Sequence, residues 1–195
     1  MESGHGPLPD PSPAPEPELA ALLEEIWQRL GRGVADRRAA ARHPVFATQA
    51  RSGGGEARVV VLRGVNRGDA TLEVHTDARS GKVGELACVP RATLLVWDAR
   101  AKLQMRLRAE VAVTRGDAAR WARVPGPARR AYGGLPAPGT PIPAPDAYAP
   151  EPDPAQFAVL TCRLEEIDAL RLEDAGHRRA LFRRADGWRG QWLAP

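Results

Sequence analysis

Between Lys102 and Thr114 apolar and polar residues alternate: Leu103, Met105, Leu107, Ala109, Val111 and Val113 are interleaved with Gln104, Arg106, Arg108 and Glu110. Successive side chains of a strand point to opposite faces, so this period of two specifies a long strand with one face on a core. Similar runs precede it: VFATQA (45–50), ARVVVLRGV (57–65), ATLEVHT (70–76) and ATLLVWD (92–98), joined by SGGGE, NRGD and one short helical stretch. QFAVLTCRLEEI, DALRLE, HRRALFRR and WRGQWLAP follow as three or four further strands. Strand after strand with short connections predicts a mainly β (α+β) fold closed into a barrel.

Helical spacing is confined to a few places. Leu19, Leu22, Leu23, Ile26, Trp27 and Leu30 predict an amphipathic helix from Glu18, with Gly31 and Gly33 stopping it. Ser80 opens a short helix over SGKVGELAC that Pro90 closes, and residues 117–123 and 128–132 predict two short peripheral helices. Pro7, Pro9, Pro11, Pro13, Pro15 and Pro17 make residues 1–17 a disordered or extended tail, leaving residues 18–195 as one domain. The proline-dense GGLPAPGTPIPAPDAYAPEPDP (133–154) predicts an irregular surface crossing.

No run of the chain approaches the roughly 20 apolar residues of a membrane span, and MESGHGPLPD has neither a basic nor an apolar signal region. A soluble, cytoplasmic protein is expected. Cys88 and Cys162 stand alone in apolar settings, as buried thiols do, so neither a disulfide nor a metal site is expected. The net charge of +4 comes from arginines spread along strands beside Asp and Glu. That spread gives no nucleic-acid footprint and points instead to anionic small molecules as partners.

Two arginines, Arg58 and Arg63, bracket the Val-rich run; five residues apart, they fall on opposite faces of a regular strand. Ser80 and Lys82 lie at a helix start, where free N–H groups and the helix dipole favour an anion. A hydroxyl, an ammonium and helix amides together make a phosphate site. SGKV lacks the upstream glycine and the Ser/Thr after Lys of a nucleotide-triphosphate loop, and SGGGE reads as a hairpin loop. No Ser-His-Asp or paired-carboxylate pattern marks a strong base.

Taken in order, ARVVVLRGV, LEVHTDARSGKVGEL (72–86) and KLQMRLRAEV (102–111) resemble the core of the pyridoxamine 5'-phosphate oxidase-like split-barrel family. The resemblance implies an FMN-binding split β-barrel with an N-terminal helix and short peripheral helices. It also implies a homodimer with the flavin at the subunit interface. Carried over residue by residue, it implies that Arg58, Thr76, Ser80 and Lys82 hold the FMN phosphate. Gln104 would contact the isoalloxazine ring, Val60 and Val61 would lie beside the flavin through their backbone, and Arg63 would be near flavin and substrate.

HRRALFRR with the downstream WRGQWLAP is similar to the family's closing motif, which implies a substrate contact for His177 and a place near the flavin for Arg179. Trp188 and Trp192 read as core and dimer packing, while Arg130 and Tyr132 replace part of the family's substrate-binding set. Two positions depart from the pattern: Ala175, where the oxidase has Arg, and Gly81, where it has a second basic residue. The implied activity is hydride transfer from a small substrate to flavin N5, with the substrate itself open. The alternatives are a non-catalytic flavin or tetrapyrrole module and a relative that binds the deazaflavin F420.

Overall fold

The computed structural model describes residues 16–195, arranged around one nine-stranded antiparallel sheet. Of the expected tail, residues 1–15 lie outside the described residues. The first helix, α1 (Glu16–Ala35), begins two residues before the expected start, with Pro17 in its first turn, where the missing N–H costs nothing. Nor does the helix end at its glycines. Gly33 lies inside it because a Cβ there would sit 2.7 Å from the carbonyl carbon of Ala41, in the short 3-10 turn that follows. The glycine thus marks a close approach of two backbones. Leu19, Ile26, Trp27 and Leu30 face the core, as their spacing predicts.

The strands are β1 (Val45–Gln49), β2 (Gly55–Val59), β3 (Leu62–Asn66), β4 (Thr71–Asp77), β5 (Arg91–Asp98), β6 (Leu103–Arg115), β7 (Phe157–Arg171), β8 (Arg178–Arg183) and β9 (Gly190–Leu193). Between them lie α2 (Gly81–Cys88), α3 (Ala118–Arg123) and α4 (Gly126–Arg129). The order is β2-β1-β5-β6-β7-β4-β3, with β8 and β9 attached to β7. Two sequence expectations change here. ARVVVLRGV is two strands, broken at Val60 and Val61 where the chain leaves its pairing with β1 and joins β4. QFAVLTCRLEEI and DALRLE are instead a single strand, because β6 pairs with β7 along its whole length and carries it past the bulge at Arg108/Ala109.

This long β6–β7 ladder divides the sheet. The first half of β7 pairs with β4 and the second half with β8, so the sheet opens along β7. Leu62, Leu72, Val74, Leu94, Leu103, Met105, Leu107, Leu160 and Ile167 fill the interior with essentially no exposure. Cys162 is buried among them, and burial pushes its thiol up to about 12. Cys88 corrects the expectation: it ends α2 on the exposed side. Among the described residues no helix is long and apolar enough to cross a membrane.

The contrast between two helix glycines is testable. Gly31→Ala, with open space around it, should stabilise the fold by up to about 1 kcal/mol through helix propensity. Gly33→Ala should destabilise it by about 1–3 kcal/mol, because the methyl group meets backbone. Urea midpoints of the two variants decide; equal shifts would mean that the Ala41 contact does not constrain the helix.

Candidate functional site

Thr76 is the next-to-last residue of β4, and a tight turn after Asp77 delivers Ser80 to the start of α2. The two hydroxyls are buried and 3.1 Å apart. Lys82 Nζ donates to Thr76 Oγ1 at 3.0 Å and to Ser80 Oγ at 3.3 Å. Ser80 occupies the cap position of α2 yet makes no capping bond, so the first-turn amides keep their capacity for another acceptor. Lys82 makes no ion pair with a carboxylate among the described residues. Its burial, and then the charge of Arg58, hold the ammonium below the usual lysine range.

Arg58 reaches the same place from β2. It stands opposite Phe46 in the β1–β2 register, so it shares the inner face with the core. Its Nη2 lies 3.0 Å from Glu85 Oε2, and Nη1 donates to Thr48, whose hydroxyl donates in turn to Glu85. The structure therefore brings Arg58, Thr76, Ser80 and Lys82 together at the inner mouth of the barrel. Val60 and Val61 form the corner just beyond, with Val60 N–H donating to Pro44 O at 3.0 Å.

Gln104 belongs elsewhere. Its neighbours Leu103 and Met105 point into the core, so Gln104 stands on the outer face, on one rung with Trp97, Leu170 and Arg179. Arg179 donates to Asp168 at 2.8 and 3.1 Å, and Arg106 pairs with the same carboxylate. Burial works to raise the Asp168 pKa, but the two arginines outweigh it and hold the carboxylate ionised below its usual range. His177 is exposed in the turn before β8, and Arg130 is exposed after α4. Neither meets the residues above.

Arg63 lies in a third group, on the outer side of β3 and β4. A cleft of about 280 Å³ is lined by Arg42, Arg63, Arg120 and Arg123 with Glu73 and His75. Arg120 Nε donates to Glu73 at 2.8 Å, and His75 Nε2 lies 2.7 Å from the other Glu73 oxygen. A carboxylate can only accept here, so the neutral imidazole carries its proton on Nε2. Tyr132 is buried, and its ring meets Phe157 and Trp121 edge-on. Its ring therefore packs as core.

Sequence reasoning did not reach the acidic partners. Asp77 is buried, accepts from Arg79 and takes the Gly133 N–H at 2.9 Å, while Arg79 also donates to Gly134 O. Burial tends to raise its pKa; the hydrogen bonds from Arg79 and Gly133 win and leave it lowered. The Thr-Asp pair ending β4 was its visible signal. Glu73, His75, Glu85 and Thr48 gave none, since each reads as an ordinary strand or helix residue.

With this geometry in place, residues 24–115 match the family model described as pyridoxamine 5'-phosphate oxidase, FMN-binding domain. Over that stretch the chain matches the pyridoxamine 5'-phosphate oxidase-like family, whose FMN-binding proteins are also its structural neighbours. A pyridoxamine 5'-phosphate oxidase-related, FMN binding protein from Nostoc punctiforme is similar to it at 25% identity, over 88% of this chain and 96% of that one, with a TM-score of 0.74. PhzG from Burkholderia lata, solved with tetrahydrophenazine-1-carboxylic acid, shares the split-barrel fold at 16% identity and a TM-score of 0.69, over 100% of both chains. No curated protein matches the sequence.

His75 ties the stability of the protein to pH. Burial is the main cause that lowers its pKa below the usual value of about 6.5, against the opposing pull of Glu73. The unfolded chain therefore binds a proton first as pH falls, and stability should decline from about pH 6.5 downward. His75→Asn keeps a donor for Glu73 without titrating. Its urea midpoint should fall less between pH 7 and 5 than that of the wild type; parallel declines would rule His75 out.

Proposed function

We propose that the chain binds FMN and acts as an FMN-dependent oxidoreductase on a small anionic substrate. The observation that carries this reading is the convergence of Arg58, Thr76, Ser80 and Lys82 on an uncapped helix start. Two cations, two hydroxyls and free backbone amides are the donor set of a phosphate monoester. Lys82 is held by neutral hydroxyls, and a phosphate would supply the counter-charge that its buried site lacks. The donor set therefore fits the FMN phosphate.

When bound, FMN would accept a hydride equivalent at N5, with oxygen or another acceptor restoring it. The chain's residues bind and orient. Gln104 would meet the ring, Val60 and Val61 would approach it through their backbone, and Arg63 and Arg179 would stabilise negative charge there. Support for an anionic substrate comes from the cleft beside Arg63, where four arginines face one carboxylate and a neutral histidine. A second reading, a flavin or tetrapyrrole module without turnover, is favoured by one observation: Asp168 occupies the fork of Arg179. Reduction of bound flavin by an anionic amine or alcohol separates the two.

We further propose that the working form is a homodimer. The phosphate residues face the inner mouth whereas Gln104 and Arg179 stand on the outer face, so a flavin reached by both sets calls for a second copy. The outer face also carries an apolar row, Val59, Val45 and Leu95 in register, with Trp97 alongside. Val59 is 64% exposed and Trp97 47%, an unusual cost for a surface. Light scattering should give twice the 21.0 kDa chain mass, and a monomer with FMN bound would refute the shared site.

Purified protein should be yellow, or turn yellow with added FMN, and Arg58→Ala and Lys82→Ala should each weaken binding by about 1.5–3 kcal/mol. Binding needs Lys82 charged. Affinity should therefore fall on the alkaline side at a pH below the usual lysine value of about 10.4, and Lys82→Gln should remove that limb. Unchanged FMN affinity in both alanine variants would contradict the phosphate assignment.

A further inference from the structure

The loop between β1 and β2 brings another arginine to α2. Arg51 extends from this hairpin over the helix, and a Cβ built on Gly84 would lie 2.5 Å from Arg51 Nη2, 3.0 Å from Cζ and 3.3 Å from Nε. The guanidinium thus occupies the volume that any side chain at position 84 would need. Glycine weakens a helix interior relative to alanine, and here it leaves room for the flexible end of Arg51, which a side chain would push aside. One turn earlier Gly81 leaves the helix start open, with nothing closer to an added Cβ than Glu85 Oε1 at 3.5 Å.

The two glycines border a cleft of about 500 Å³, lined by Arg51, Ser80, Gly81, Gly84, Glu85 and Arg115 among others. Arg58 and Arg51 differ in one respect. Arg58 is engaged by Glu85 and Thr48, whereas Arg51 makes no ion pair or side-chain hydrogen bond among the described residues. An anion at Ser80 would also meet the charge of Glu85, which lines the same cleft as Arg51. Lys82, two residues from Gly84, projects from the opposite flank.

We propose that Arg51 is a further phosphate-binding residue, donating from the hairpin to a phosphate monoester held at the start of α2 while Lys82 donates from the other side. The inference rests on the FMN reading given above. Gly84 is the seat that allows Arg51 to approach, and Gly81 keeps the amides between the two cations accessible. The hairpin thereby becomes part of the cofactor site, although its sequence reads as a connecting loop.

Titration of the full chain with FMN, and separately with riboflavin, which lacks the phosphate, tests the inference through the quenching of flavin fluorescence. Arg51→Ala should raise the Kd for FMN by about tenfold or more and leave that for riboflavin unchanged. Gly84→Ala keeps every charge and improves the helix, yet should also raise the Kd for FMN by displacing the guanidinium. An FMN Kd unchanged in Arg51→Ala but raised in Arg58→Ala would overturn the role of Arg51 and leave the FMN reading standing. Equal losses for FMN and riboflavin in Arg51→Ala would likewise overturn it, as a structural effect. Wild-type protein that takes up neither flavin would overturn both.

Discussion

The β6–β7 ladder is the constraint on which the other elements depend. Hydrogen bonding over the whole of β6 forces one long strand, β7, to serve two arms of the sheet in succession, because β4 can pair only with its first half and β8 only with its second. The bulge at Arg108/Ala109 bends the ladder at the changeover. The same ladder assigns the faces: residues on one side of β6 fill the core, and Gln104, Arg106 and Arg108 project outward. The sorting of candidate cofactor residues into an inner and an outer set is a direct result.

Charge is handled differently in the two sets. On the outer face Asp168 joins Arg106 and Arg179 in one ion-paired network, which holds Arg179 in place at the expense of its freedom to meet a ligand. At the inner mouth the arrangement is left incomplete: Lys82 is half-buried against hydroxyls, and Arg58 shares the Glu85 carboxylate with Thr48. A half-buried ammonium with no directly paired carboxylate makes this end of the barrel a place where an anion gains. The cleft near Arg63 has a similar cationic excess, with His75 kept neutral by burial.

Much of the fold was legible because strand and helix periods are local. Alternation in β6 and the Leu19 to Leu30 stripe each reported a face that the structure confirms. The misreadings came from tertiary demands that local pattern does not carry. Gly33 reads as a helix stop but is a contact with Ala41, and Val60–Val61 reads as mid-strand but is a corner between partners. The clustering of Thr76, Ser80 and Lys82 was legible because they lie within one strand-turn-helix unit. Glu85, Asp168 and Glu73 were not, since an acidic residue acquires its role from an arginine 27, 11 or 47 positions away.

Asp77 and Arg79 hold Gly133 and Gly134 against the end of β4, and Leu135 bridges to Ala149. The proline-dense segment between those anchors is therefore a closed excursion that no strand of the sheet depends on. Lengthening or shortening it changes chiefly the entropy of a loop whose ends are already fixed, about 0.6 kcal/mol for each doubling. Related chains can be expected to differ here in length before they differ anywhere in the barrel, which makes this excursion the natural place to graft an epitope or a reporter.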